Sequence, residues 1–134
     1  MSYEIFIPKT FDSLFEGVKF WEKNKENEKI ELEKKINAIH SIKEAVTVTK
    51  GYLYDVNQGN TSRDKELTLA ATWQKASEII WAYDRDLFNI SEVKALGWAD
   101  PREWDKREQM VSTVKLDDII KQCNFRLDEL NQPR

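Results

Sequence analysis

The side chains best suited to metal chemistry in this chain are one histidine, His40, and one cysteine, Cys123. A di-iron or di-manganese helical bundle needs a Glu-x-x-His pair on each of two helices, but Asn37 stands three positions before His40. Zinc sites take sets of cysteine and histidine ligands, and one of each at distant positions is not a set. We therefore predict no metal, no cofactor and no catalytic residue. We expect His40 to flank a helix and Cys123 to be a small buried apolar group.

Paired carboxylates offer a second kind of chemistry. All-α pyrophosphohydrolases hold magnesium with a Glu-x-x-Glu motif and a later Glu-x-x-Asp motif. Glu28 and Glu31 supply the first motif, and the sequence contains no example of the second. Asp84 and Asp86 lie two residues apart, do not share a helix face, and are interpreted as surface charge. A small-molecule-binding or metal-dependent hydrolytic helical bundle is thus an alternative that requires Glu28 or Glu31 to face other acids.

The composition is that of a charge-rich globular domain. The 134 residues are 40% hydrophobic and 34% charged, and they include only four glycines and three prolines, too few for a many-stranded β fold. The net charge of −3, with lysines and acids alternating, argues against a dedicated nucleic-acid binder. A nucleic-acid-associated regulator is a further alternative, for which the candidate residues are Lys34, Lys35, Lys43 and Lys50.

Cysteine usage and hydropathy bear on where the protein resides. A single cysteine excludes an intramolecular disulfide and suits a reducing compartment. Residues 1–9 lack the pattern of a secretory signal, and no stretch approaches the ~20 apolar residues of a membrane span. We expect a cytoplasmic protein that does not cross a membrane.

The stretch from Asp64 to Ile90 predicts the central helix. Its apolar residues recur at spacings of four and three, which places them on one helix face. This row consists of Leu69, Trp73, Ala76, Ile80, Tyr83, Leu87 and Ile90. A second row, one position on, contains Ala70, Trp81 and Phe88. Two adjacent rows make a wide apolar surface, so we expect this helix to contact neighbours on both flanks.

Three other helices are predicted around this one. The first covers about Phe11–Lys23 and breaks near Asn24–Asn27; in the alternative it continues as a solvated rod, because Lys25, Glu28 and Leu32 keep its phase. The second covers Leu32–Val56, and Gly59 closes it before Thr61 and Asp64 cap the central helix. The last begins at the Asp100-Pro101 cap, runs to about Leu130, and has a kink or break at Val111–Val114.

These elements predict an all-α fold. We expect an antiparallel up-down helical bundle of three long helices plus a shorter N-terminal helix, similar to a four-helix bundle. Residues 1–134 then form a single helical-bundle domain, in which residues 1–9 are an extended N-terminal arm.

Large aromatic side chains suggest the function. Tryptophan is enriched at binding hot spots, and the candidates for partner binding are Trp81, Phe88, Trp98 and Trp104. Taken singly, each is better explained as a side chain that wraps the bundle. Together with the lack of catalytic motifs, they favour a non-catalytic helical protein–protein interaction module. We expect it to self-associate, for instance as a homodimer, or to bind another protein.

Overall fold

The structure is a computed structural model that describes residues 11–104 and 115–132, with side chains from residue 24 onward. In these ranges the regular structure is helical and contains no strand, which confirms the all-α class. The four helices are α1 (Phe11–Asn57), α2 (Arg63–Ile80), α3 (Arg85–Ala99) and α4 (Leu116–Asn131), with a helical turn at residues 102–104. The chain divides into two compact units, residues 1–34 and 35–134, and α1 has residues in both. The predicted extended arm lies outside the described residues.

The predicted break near Asn24–Asn27 is wrong, because α1 is uninterrupted from Phe11 to Asn57. Phe11–Lys23 is accordingly the first part of α1 and not a separate short helix. Between Gly17 and Gly51 the chain has neither glycine nor proline, and the lysines and glutamates there are good helix formers. In the first unit the side chains from residue 24 to residue 34 are all exposed. The solvated rod is the arrangement observed.

The turn between α1 and α2 forms as the sequence predicts, with one shift in the cap. Gly59 has a φ of 85°, and its N–H donates to the carbonyl of Val56 at 2.9 Å. The residue that caps α2 is Ser62, not Thr61, since the Ser62 hydroxyl accepts a hydrogen bond from the Lys65 N–H at 3.2 Å. The backbone of Ser62 is extended, which is the usual conformation of a helix N-cap.

The predicted central helix is interrupted, and the single helix from Asp64 to Ile90 is therefore wrong. It ends at Ile80, where the N–H groups of Tyr83 and Asp84 both donate to the Ile80 carbonyl. Asp84 then begins α3, with its carboxylate accepting from the Leu87 N–H at 2.9 Å. The predicted apolar row nevertheless continues across the turn on the buried side, as Trp73, Ile80 and Leu87 are each 0% exposed.

One apolar core unites the second unit. It contains Ala38, Ile39, Ile42, Ala45 and Val46 of α1, Trp73, Ala76 and Ile80 of α2, Leu87, Ile90 and Ala95 of α3, and Ile119 and Cys123 of α4. At its centre the indole N–H of Trp73 donates to the Thr49 hydroxyl at 2.9 Å. The predicted burial of Cys123 is confirmed.

The last helix begins later than predicted. Asp100 ends α3 and its carboxylate accepts from the Arg102 N–H at 3.1 Å. Lys115 has an extended backbone and precedes α4, so residues 101–130 are not one continuous helix. The predicted kink at Val111–Val114 lies outside the described residues.

Candidate interaction surface

An exposed tryptophan stands at the turn between α2 and α3. Trp81 caps the C-terminus of α2 and its side chain is 56% exposed. Phe88 of α3 is half-buried and packs against the core. The guanidinium carbon of Arg85 lies 6.0 Å from the centroid of the Trp81 ring and 5.9 Å from that of Phe88. Both distances permit a cation–π interaction. We call Trp81, Arg85 and Phe88 the Trp81 surface.

The other two predicted aromatic residues form a separate cluster. The rings of Trp98 and Trp104 meet edge to face with centroids 5.8 Å apart, and Trp98 meets Tyr52 in the same way at 5.6 Å. Both tryptophans are half-buried. A Cβ on Gly97 would lie 2.5 Å from the Trp104 ring, so the absence of a side chain there makes room for the indole.

The four predicted partner-binding residues therefore lie at the two ends of α3. Phe88 is in its first turn beside Trp81, whereas Trp98 is in its last turn beside Trp104. Trp98, Trp104 and Tyr52, which we call the Trp98 cluster, pack against one another. The Nε1 of Trp98 is nevertheless buried without a hydrogen-bond partner in the described part of the chain. Arg85 lies against both Trp81 and Phe88, and the Trp98 ring contacts the Trp104 ring, so the four residues form two separate pairs.

Asp84 is a structural residue and not the surface charge expected from the sequence. Its side chain is 16% exposed, and the Nε of Arg126 donates to its Oδ2. Asp86 is 82% exposed, with its Oδ2 3.9 Å from Arg126 Nη2, so the interpretation as surface charge holds for Asp86 and is wrong for Asp84. The sequence feature that could have predicted this role is that aspartate is a favoured N-cap residue, so Asp84 can start a new helix.

Asp84 and Arg126 also line a small pocket of about 160 Å³. Its other lining residues are Lys35, Ile39, Ile80, Tyr83, Glu129 and Leu130. Both acidic and basic side chains line the pocket, and one acid and one base among them, Asp84 and Arg126, already form an ion pair with each other. The pocket therefore offers little unbalanced charge to a ligand.

A larger groove of about 320 Å³ lies between α1 and α2. It is lined by Val48, Gly51, Tyr52, Asp55, Lys65, Thr68 and Leu69. The Lys65 Nζ and Asp55 Oδ2 atoms are 3.1 Å apart, so the two charges in the groove are paired with each other. The remaining wall is largely aliphatic and aromatic and can hold an apolar group, and the Tyr52 hydroxyl in it donates to the Glu66 carboxylate at 3.1 Å.

The other candidate residues are not brought together. Glu28 and Glu31 are exposed, and Glu31 forms a salt bridge with Lys34 at 3.5 Å. Among the described residues no three His, Cys, Asp or Glu side chains converge as metal ligands would. Lys50 forms a salt bridge with Asp117, and this hydrogen bond lowers the pKa of the Asp117 carboxyl.

The remaining two candidates differ in exposure. His40 is exposed. Burial raises the pKa of the Cys123 thiol to about 11, which leaves it protonated and a poor nucleophile at neutral pH.

Compared with protein-family models, curated proteins and solved structures, the chain shows no match. Within the ranges that the structure describes, no helix has the length and apolar character needed to span a membrane. Any assignment of function therefore depends on the surfaces described above.

Proposed function

We propose that the protein is a non-catalytic helical module that binds other proteins, including a second copy of itself. The observation that supports this most directly is the Trp81 surface, where an indole 56% exposed lies beside a guanidinium group. Tryptophan and arginine are the residues most enriched at binding hot spots, because one buries a large apolar area and the other adds directional donors.

The Trp81 surface lies on a turn that several hydrogen bonds and an ion pair hold in place. The Trp81 N–H donates to the Ser77 carbonyl at 3.0 Å, and three residues later Asp84 is fixed by its cap and by Arg126. Phe88 anchors the other side through its contact with the core. A surface that is already ordered loses little conformational entropy on binding, which favours affinity.

We further infer that the helices of the second unit alternate in direction, as in an up-down antiparallel bundle. The support comes from contacts that join the C-terminal part of one helix to the N-terminal part of another, three between successive helices and one between the first and the last. These contacts are Tyr52 with Ser62, Arg63 with Ala99, Asp84 with Arg126, and Lys50 with Asp117. Helices that pack in alternating directions form a scaffold that presents side chains in fixed positions.

The two alternatives gain less support. A hydrolytic bundle requires Glu28 or Glu31 to face other acids, whereas Glu31 pairs with a lysine. A nucleic-acid regulator requires free lysines, whereas Lys34 and Lys50 are in salt bridges. A cytoplasmic location remains part of the proposal, on the ground that the buried Cys123 carries a free thiol.

Peptide selection tests the proposal and does not require an identified partner. A random peptide library is selected on the wild-type protein, and the enriched peptides are measured against Trp81→Ser and Phe125→Ser. Phe125 is the matched control, because its ring is 63% exposed on α4. We expect peptides that bind Trp81→Ser at least about tenfold more weakly and bind Phe125→Ser as tightly as wild type. Equal binding to Trp81→Ser and wild type would show that the Trp81 surface is not the binding site.

A further inference from the structure

One arginine of the Trp81 surface has a position that the fold does not explain. Arg85 lies between Asp84 and Asp86 in the sequence, but within the described part of the chain its guanidinium group forms no ion pair with either. Both aspartates face Arg126 of α4 instead, whose Nε donates to Asp84 and whose Nη2 lies 3.9 Å from Asp86. The cation that is adjacent to two carboxylates is thus paired with neither.

The position of Arg85 also gives no benefit to the helix that carries it. Arg85 is the first residue of α3, where the free backbone N–H groups make the helix end positive. A cation is disfavoured at that end, whereas an acidic residue such as Asp84 is favoured there. The charge at residue 85 therefore does not stabilise the start of α3.

Two aromatic rings hold the guanidinium group without using its hydrogen-bond donors. Its carbon is almost equally far from both ring centroids, 6.0 Å from Trp81 and 5.9 Å from Phe88. The rings attract the positive charge through their π faces. A guanidinium group also has five N–H donors in a planar fork that matches the two oxygens of a carboxylate. Within the described residues no protein atom accepts from the donors of Arg85, and the side chain is exposed, so the fork is open to a ligand.

The indole beside this guanidinium group supplies the apolar half of the site. Trp81 is 56% exposed, which leaves much of its ring to be covered by a partner. Ordering a flexible arginine costs side-chain entropy on binding, and contact with two rings reduces that cost in advance. A partner that places a carboxylate on the Arg85 fork and an apolar side chain on the Trp81 ring would use both groups at once.

The surrounding charge favours a ligand with a single anionic group. Residues 78–86 contain three acids and one base, and Asp86 beside Arg85 is 82% exposed. Repulsion from these acids disfavours a polyanion such as a nucleic acid, which needs several cations along its backbone. A lone carboxylate among apolar groups brings one negative charge to the one cation.

We infer that the Trp81 surface binds a protein segment in which an aspartate or glutamate side chain lies on the same face as a large apolar side chain. The carboxylate accepts two hydrogen bonds from the Arg85 guanidinium group, and the apolar side chain covers the Trp81 indole. This inference names the chemistry of the partner in the proposed function and rests on that function. A helix provides such a face when the two residues are three or four apart, and a strand when they are two apart.

The peptides enriched on the wild-type protein test this inference through a double-mutant cycle. We expect most of them to contain an acid two to four residues from a large apolar residue. One such peptide is synthesised with acetylated and amidated ends, as is a variant in which that acid is replaced by the corresponding amide. Isothermal titration calorimetry measures both peptides on wild type and on Arg85→Gln. The amide variant should bind wild type at least about tenfold more weakly than the acidic peptide, whereas the two should differ by less than about twofold on Arg85→Gln.

Three comparisons separate the carboxylate contact from general electrostatics. Arg85→Lys keeps the charge but not the planar fork, so the acidic peptide should bind it more weakly than wild type and more tightly than Arg85→Gln. Lys75→Gln makes the same charge change at an exposed residue of α2 and should bind both peptides as wild type does. High salt should weaken binding of the acidic peptide to wild type and have little effect on the amide variant. Since Arg85 is exposed, Arg85→Gln should unfold within about 3 °C of wild type.

Four outcomes would overturn the inference. They are enriched peptides with no excess of acids, equal binding of the acidic peptide to wild type and Arg85→Gln, loss of affinity when the peptide C-terminus is amidated, and displacement of the peptide by a short single-stranded DNA. The third would assign the fork to a terminal carboxylate, and the fourth would assign it to a phosphate backbone.

The same measurements distinguish failure of this inference from failure of the proposed function. If Arg85→Gln binds the peptides normally and Trp81→Ser does not, the carboxylate contact is wrong and the Trp81 surface stands. If Trp81→Ser binds them as tightly as wild type but the acid and Arg85 are both needed, the proposed site at Trp81 is wrong and the contact between Arg85 and the carboxylate is supported.

Discussion

Arg126 on α4 donates through Nε to Oδ2 of Asp84, whose Oδ1 accepts the Leu87 N–H at the start of α3. One carboxylate thus both begins α3 and holds α4 against it. The two side chains are 22% and 16% exposed, so removal of one partner leaves the other in a poorly solvated site. Since Asp84 follows Trp81 by three residues, this contact also orders the turn that presents the Trp81 surface.

We predict that Asp84→Ala lowers the free energy of unfolding by about 2–4 kcal/mol, since it removes both a helix cap and the partner of a half-buried arginine. Asp84→Asn keeps an acceptor for the Leu87 N–H and should lose less, about 1–2 kcal/mol. Urea unfolding measures both. Asp86→Ala is the control, since Asp86 is 82% exposed and 3.9 Å from Arg126; its effect should stay within about 0.5 kcal/mol. Equal losses at residues 84 and 86 would contradict this account.

The buried hydrogen bond between Trp73 and Thr49 gives a second prediction. The Thr49 hydroxyl accepts from the Trp73 Nε1 at 2.9 Å and itself donates to the Ala45 carbonyl at 2.7 Å. Thr49→Val keeps the side-chain shape but leaves the indole N–H unsatisfied in the core, so we expect a loss of about 1–3 kcal/mol in urea unfolding.

Thr47→Val controls for the change of a helical threonine to valine. The Thr47 hydroxyl donates to the Lys43 carbonyl at 2.9 Å in the same manner as Thr49, but Thr47 is exposed and accepts nothing from the core. Its effect should stay within about 0.5 kcal/mol. A loss at Thr49 no larger than that at Thr47 would show that the bond to the indole contributes nothing.

Two helical glycines predict opposite results for the same substitution. A Cβ on Gly51 meets nothing within 4 Å, so Gly51→Ala should gain about 0.5–1 kcal/mol through the better helix propensity of alanine. A Cβ on Gly97 would lie 2.5 Å from the Trp104 ring, so Gly97→Ala should displace that ring and lose about 1–2 kcal/mol. Thermal unfolding gives the sign of each change, and tryptophan fluorescence should change only for Gly97→Ala. A stabilised Gly97→Ala protein would contradict the close packing of Trp104.

The sequence predicted the all-helical class and most of the core, because burial follows helical spacing. It missed the break after Ile80, because Leu87 stays in phase with Trp73 across the turn. The apolar spacing is therefore the same as in one continuous helix. The sequence also predicted a break near Asn24 that does not exist, because the charged stretch there lacks a row of apolar residues that could face a core. Apolar spacing reports which residues are buried, whereas helix ends depend on which side chain accepts the free N–H groups.

The candidate surface was predictable only in part. Trp81 and Phe88 share a row in the sequence, and this spacing alone groups them. The role of Arg85 was not visible, because a cation–π contact depends on where the turn aims the guanidinium group. Nor was it evident that Trp98 and Trp104 face each other, since the pair forms across the cap at Asp100.

The buried thiol of Cys123 makes stability depend on pH in a defined window. Burial is the main cause of its raised pKa, about 11 in place of about 9; Asp84 adds to the effect, while Arg126 and Lys43 oppose it. A raised pKa means that the unfolded chain releases the proton at a lower pH than the folded one. The contribution to stability is therefore complete below pH 9 and is lost as the pH rises toward 11.

We predict that Cys123→Ala removes this dependence. Urea unfolding of both proteins from pH 7 to pH 11 gives the difference in their free energies of unfolding, and other groups that titrate in this range cancel in it. The advantage of wild type should be constant up to about pH 8 and then fall by no more than about 2–3 kcal/mol, the equivalent of two pKa units. Native protein at pH 8 should also react slowly with a thiol reagent until urea unfolds it. Parallel pH profiles, or a rapid reaction in the native state, would mean that the thiol is solvated and that α4 does not seal the core at Cys123.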